Sequence, residues 1–174
     1  YDCLVYPFVP GENAREREKS DRVPYVTWAD QGHLTMTDGN VQDYDAVRRK
    51  INELSELYEI KEIAFDRWNA QQLATQLTDD GFPVLMFNQS FRSMSGPTKA
   101  LEREIMAGNI RHGGHPVLRW CASNVQVETN AYEDVRPSKR RSTEKIDVIV
   151  ALIMAMGDDD GGGSVYTERG IITL

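Results

Sequence analysis

Cysteine is scarce in this chain: of 174 residues only Cys3 and Cys121 are cysteines, and neither belongs to a CxxC pair. That usage gives no support to a disulfide framework or a structural zinc site, and both thiols are expected in the core. Long apolar runs are lacking too. The longest, Ile146 to Met156, contains Asp147 and is too short to span a bilayer, and no leader-like segment opens the chain. A soluble, intracellular protein with no membrane partner is expected. There is no GxxxxGK[ST] loop to cradle a nucleotide phosphate, since Gly96-Pro97-Thr98-Lys99 has the wrong spacing. With three histidines no Ser-His-Asp order stands out, and His112-Gly113-Gly114-His115 lacks a regular scaffold and further ligands for a metal. Positive charge is also in deficit: a net charge of −7 argues against bulk attraction to nucleic acid, though not against a local basic patch.

What is present is the composition of one globular α/β domain, 40% hydrophobic and 27% charged. Strand-like runs are read at 3–9, more weakly at 34–37, and clearly at 61–66 and 84–88, with helical patterns between them. Two short helices are expected between 11 and 32, and a longer one over 44–58, where Tyr44, Val47, Ile51, Leu54 and Tyr58 recur at helical spacing behind an Asp43 cap. Asn69 with Gln72 resembles a capping box for a helix stopped at Gly81, so strands 61–66 and 84–88 should lie parallel across a right-handed crossover. Pro97 is read as the start of a further helix stopped near Gly108, and Val125 to Val135 as a hairpin turning at Asn130. Ser142 or Thr143 should cap the last helix, with Glu144 in its first turn. The expected division is a domain over 1–157 and a Gly/Asp-rich linker with tail over 158–174. Trp28, Trp68 and Trp120 are read as core or interface anchors.

Two acids carry the chemistry. Asp147 heads a segment in which every residue from Val148 to Met156 is apolar, and Asp66 closes the run Glu62-Ile63-Ala64-Phe65. A carboxylate drawn into an apolar element calls for a cationic partner, a raised pKa or a metal ion. The plain alternatives are an ion pair of Asp66 with Arg67, and a first-turn position for Asp147 eased by the helix dipole and by Lys145 or Arg140-Arg141. Residues 136–145 hold Arg136, Lys139, Arg140, Arg141 and Lys145 against Glu144 alone, a solvated loop or a phosphate-contacting one. Acids on two elements beside such a run suit Mg²⁺ or Mn²⁺ near a phosphodiester.

Four motifs in order resemble one known family. They are Ile63-Ala64-Phe65-Asp66-Arg67-Trp68-Asn69, Phe91-Arg92-Ser93-Met94-Ser95-Gly96-Pro97-Thr98-Lys99, His112-Gly113-Gly114-His115-Pro116-Val117-Leu118-Arg119-Trp120 and Ser142-Thr143-Glu144-Lys145-Ile146-Asp147. Together, over about residues 3 to 157, they are similar to the C-terminal nuclease domain of the large terminase subunit of tailed bacteriophages, HK97-like branch. The resemblance implies an RNase H-like mixed sheet flanked by helices and a divalent-metal-dependent endonuclease that cuts concatemeric double-stranded DNA with two ions. Asp66 and Asp147 match two of the family's three catalytic and metal-binding acids, and Glu144 would assist from the same helix face. Arg136, Lys139, Arg140, Arg141 and Lys145 would touch DNA. The implied partners are an ATPase domain of the same polypeptide, the small terminase subunit and the portal protein, in the cytoplasm of the bacterial host. The family's first acid, on its central first strand, has no match; that strand is expected upstream of Tyr1, and Asp2 is on the wrong strand to replace it. The rival readings are a non-catalytic DNA- or portal-docking fragment and another RNase H-like nuclease such as a resolvase.

Overall fold

The structure, a computed structural model, describes residues 1–66, 71–157 and 171–173. Arg67, Trp68, the Asn69 cap, the acidic linker and most of the tail therefore lie outside the described residues. The expected first strand is broken in two, β1 (Cys3–Val5) and β2 (Phe8–Pro10). Pro7 sits at the break; it has no N–H to give a ladder, and its carbonyl accepts from Thr35 N–H at 2.8 Å. Next come α1 (Gly11–Asp21), α2 (Tyr25–Asp30) and β3 (Thr35–Thr37), the last parallel to β2 with Val9 opposite Met36.

Helix α3 (Tyr44–Ser55) starts at its expected cap, the Asp43 carboxylate accepting from Ala46 N–H at 3.0 Å. The strand–helix–strand order and parallel pairing are as expected: β4 (Ile63–Asp66), α4 (Gln71–Asp79) and β5 (Val84–Phe87), with β4 and β5 parallel and Asp66 opposite Phe87. Helix α5 (Phe91–Met106) corrects the sequence reading, because it begins six residues before Pro97. Ser90 caps it, accepting from Ser93 N–H at 3.2 Å, and the Thr98 hydroxyl donates to the Met94 carbonyl at 2.7 Å beside the proline. Helix α6 (Pro116–Asn124) was not expected at all; Pro116 occupies its first position, where a missing N–H does no harm.

Strands β6 (Val127–Thr129) and β7 (Val135–Pro137) form the antiparallel hairpin. Asn130 Oδ1 fastens its turn, accepting from Tyr132 N–H and Asp134 N–H at 2.9 Å each. Helix α7 (Asp147–Ala155) and β8 (Ile171–Thr173) complete the order, β8 lying parallel to β1. Three parallel pairs and one antiparallel pair make the architecture mixed α/β; among the described residues the ladders join as four two-stranded pairs. No helix among the described residues is long and apolar enough to cross a membrane.

Two cores hold these elements. The larger gathers buried residues of α5, α6 and α7 around Cys3, Tyr25, Trp28 and Phe87; the smaller consists of Ile51, Ile63, Leu73 and Leu77 between α3, α4 and β4. Both cysteines are free and buried, as their scarcity implied. Helix α7 is the keystone of the larger core, and its last turn ends against β5. Gly157 fits there only because it lacks a Cβ, which would stand 2.7 Å from Pro97 Cγ and 2.9 Å from Phe87 Cε2. Both obstacles are rigid rings, so Gly157→Ala should destabilise the fold by about 1–3 kcal/mol, read as a lower urea midpoint.

Candidate functional site

The site is built where the head of α7 meets the loop that follows β7. Asp147 is the first residue of α7, preceded by Ile146 with no side-chain cap. The expected caps are engaged elsewhere: Ser142 Oγ accepts from Gln126 N–H at 3.0 Å and donates to the Ser138 carbonyl at 2.8 Å, closing the base of the hairpin. With no cap at Ser142 or Thr143, Glu144 lies outside the helix, which corrects its placement in the first turn and on the face of Asp147.

Asp147 itself is not buried. Its side chain keeps 65% of its exposure, the apolar residues behind it filling the core while the carboxylate remains in water at the positive end of the helix. Its cationic partner is Lys139, whose Nζ stands 2.7 Å from Oδ1, rather than Lys145 or the Arg140-Arg141 pair. Asp66 is half-buried at the C-terminal end of β4, and α7 packs against that strand. The structure thus brings the two acids onto touching elements, one aimed from a strand end and the other from a helix start.

Beside Asp147 opens a cleft of about 230 Å³ between β2 and α6, with Tyr25 and Trp120 on its wall and Arg17, Lys145 and Asp147 supplying its charge. Tyr25, Trp28 and Trp120 pack edge to face and tilted, with ring centroids 5.8–6.5 Å apart, consistent with Trp28 and Trp120 as anchors. Burial, then the neighbouring Asp21 charge and hydrogen bond, with a further push from Glu144, raise the Tyr25 hydroxyl to about 12. Cys121, also lining it, is pushed up to about 11 by burial and is an inert thiol.

The basic run is less free than its charge count implied. Glu128 in β6 stands opposite Arg136 in β7 and accepts from its Nε at 2.9 Å; it also accepts from Ser138 Oγ at 3.1 Å and lies 3.9 Å from Arg141 Nε. Arg136 further donates to the Gln89 carbonyl at 3.1 Å and lies over the Phe91 ring at 4.2 Å. The Arg136 hydrogen bond holds the Glu128 carboxyl below its ordinary range. Glu128 was missed in the sequence, although the hairpin register around Asn130 places it across from Arg136. Arg136 is thereby a structural tie, Lys139 and Arg141 are paired, and Arg140 and Lys145 are exposed with no ion pair among the described residues.

A family model described as the endonuclease domain of the terminase large subunit matches residues 3–160. The chain belongs to this family. It is 35% identical over 170 residues to the terminase large subunit of Enterobacteria phage HK97, covering 95% of this chain and 33% of that protein. It is also 33% identical over 159 residues to Protein YmfN of Escherichia coli strain K12, covering 90% and 34%. The crystal structure of the HK97 large terminase superposes with a TM-score of 0.79 at 35% identity, over 84% of this chain and 31% of that one. The fold is accordingly the RNase H-like one expected, and the chain spans about a third of the length of these relatives.

Terminase nucleases in general depend on divalent metal, and the donors present suit a hard cation. Carboxylate oxygens are offered from two packed elements, and an ammonium already stands beside one of them, so the position favours positive charge. Among the described residues no group of three or more His, Cys, Asp or Glu is arranged to hold a metal. The histidines do not supplement the two carboxylates. His115 caps α6 through Nδ1, 3.5 Å from Leu118 N–H, and its ring meets that of His33 edge-on at 5.2 Å. Burial, and then the neighbouring His33 and His112, hold His115 below the ordinary imidazole range.

Proposed function

We propose that this terminase nuclease domain is a divalent-metal-dependent endonuclease that hydrolyses double-stranded DNA during viral DNA packaging. The observation that carries the reading is the exposed carboxylate of Asp147, held beside a cation at the head of α7 while α7 packs on the strand that ends at Asp66. Asp66 and Asp147 are the acidic ligands, and Glu144 is a candidate accessory acid from the loop. Asp66 and Asp147 would hold Mg²⁺ or Mn²⁺, two ions in the complete site, which would supply Lewis-acid polarisation of a phosphodiester and a more acidic water. The chain's own part is orientation. The Glu128 tie fixes the loop, the dipole of α7 opposes the carboxylate's charge, and the apolar body of α7 fixes the direction in which Asp147 points.

Arg140 and Lys145 are the cations free to meet the DNA backbone, joined by Lys139 and Arg141 if their carboxylates release them. Such contacts position a duplex without reading its bases, so sequence preference should be slight. Arg140→Ala and Lys145→Ala should each reduce the slope of log K against log salt by about 0.9, the value for one phosphate contact, in a fluorescence titration of duplex DNA. An unchanged slope in both would remove this face from the DNA interface.

The ATPase domain of the same polypeptide, the small subunit and the portal are the proposed partners, and the bacterial cytoplasm the proposed place of action. The domain is proposed to run to near residue 157, with 158–174 as linker and tail, the tail returning to it where Ile171–Thr173 pairs with β1. The upstream strand expected from the family would supply the third acid. Plasmid cutting with Mn²⁺ by the complete polypeptide tests the assignment: Asp66→Asn or Asp147→Asn cutting at the wild-type rate would reject it. Nicking restricted to branched substrates would favour a resolvase-like enzyme instead.

A further inference from the structure

Lys139 has a position that neither loop solvation nor a plain phosphate contact explains. Its Nζ is 2.7 Å from Asp147 Oδ1, although both side chains are more than half exposed. The loop that carries it is pinned on both sides of the lysine. Ser138 is buried, donates its N–H to the Gln126 carbonyl at 2.8 Å and its hydroxyl to Glu128 at 3.1 Å, and Ser142 closes the loop back onto the Ser138 carbonyl. Arg136 and Arg141 are tied to the same Glu128. The backbone around Lys139 is therefore held while its four-carbon stem and compact ammonium stay mobile.

We infer that Lys139 is an internal counter-cation of Asp147, occupying the carboxylate until a divalent ion displaces it and then free to bind a backbone phosphate oxygen of the DNA. The inference rests on the reading that Asp147 is a metal ligand. An exposed ion pair of this kind is weak, so a divalent cation can replace the ammonium, yet the competition raises the concentration of metal needed. The pinned loop keeps the displaced ammonium within reach of the site where a scissile phosphate would lie. Glu128 is, on this account, a positioning residue for Lys139.

Two readouts independent of cleavage test it, both on the full polypeptide without nucleotide. In calorimetric titration with Mn²⁺, Lys139→Gln should bind about two- to fivefold more tightly than wild type, because the competitor is gone. In amine acylation followed by peptide mass spectrometry, Mn²⁺ should increase labelling of Lys139 and leave Lys99, whose Nζ donates to the Glu133 carbonyl, unchanged. Asp147→Asn should label at Lys139 equally with and without Mn²⁺. Unchanged or weaker Mn²⁺ binding by Lys139→Gln, or Lys139 labelling indifferent to Mn²⁺ in wild type, overturns the inference while leaving Asp147 a ligand. Wild-type Mn²⁺ affinity in Asp147→Asn removes the metal-ligand reading itself.

Discussion

Asp147→Asn should lose metal-dependent plasmid cleavage by about 100-fold or more, and Asp66→Asn should do the same, with little change in stability for Asp147→Asn. The magnitude starts from the 10–100-fold effect of losing even an outer-shell partner of a metal site; a direct ligand should exceed it. Both substitutions keep side-chain volume and remove one negative charge, so the effect reports charge rather than packing. Asp147 is 65% exposed and its ion pair with Lys139 is solvated, so the fold loses at most about 1 kcal/mol. Asp2→Asn is the matched control. Its carboxylate is 66% exposed and takes two hydrogen bonds from Arg111, an ion pair of the same kind away from α7, and cleavage should be unaffected. Gel assays of supercoiled plasmid with Mn²⁺ decide the matter, and equal loss in all three variants would point to a general electrostatic effect instead.

Leu77→Ala should unfold most easily of the substitutions considered, losing about 2–5 kcal/mol. Leu77 and Ile51 are both fully buried, and with Leu73 and Ile63 they make up the buried part of the smaller core among the described residues. Phe65 packs against the same cluster, one residue before Asp66, so loosening there reaches the strand end that carries a site acid. Met106→Ala, at an 83% exposed position, should change stability by no more than about 0.5 kcal/mol. Urea denaturation of the two variants checks both values. A loss below about 1 kcal/mol for Leu77→Ala would show that the smaller cluster does not behave as a core.

The parts of this fold legible in the sequence are those decided locally. Apolar runs located β4 and β5, helical spacing located α3, and the Asp43 and Asn130 side chains marked a cap and a turn that they do make. Pro97 misled because a proline usually opens a helix, whereas here Ser90 nucleates α5 earlier and the proline is carried in its interior. Helix α6 was hidden behind a glycine turn and is nine residues long, too short for its periodicity to stand out. The site was legible in its residues but not in its arrangement. Asp147 looked buried because its sequence neighbours are apolar, yet a helix turns its first residue outward while burying the next turn. The charge of residues 136–145 looked unbalanced because Glu128 and Asp147, which pair with three of its cations, are supplied by hairpin pairing and by α7.

The pairing of β1 with β8 sets a schedule for assembly. Cys3 finds its ladder partner at Ile171, so during synthesis β1 leaves the ribosome while nearly all the residues between them are still to be made. Closing so long a loop carries a large entropic penalty before any contact compensates for it, and contacts of such sequence separation form late. Until then the early anchor of β1 is the 109–111 segment, where Tyr1, Cys3 and Arg111 exchange backbone hydrogen bonds. The domain would thus acquire its compact body first and receive β8 afterwards, so a released chain ending before residue 171 should keep a folded α7 core with an open β1 edge.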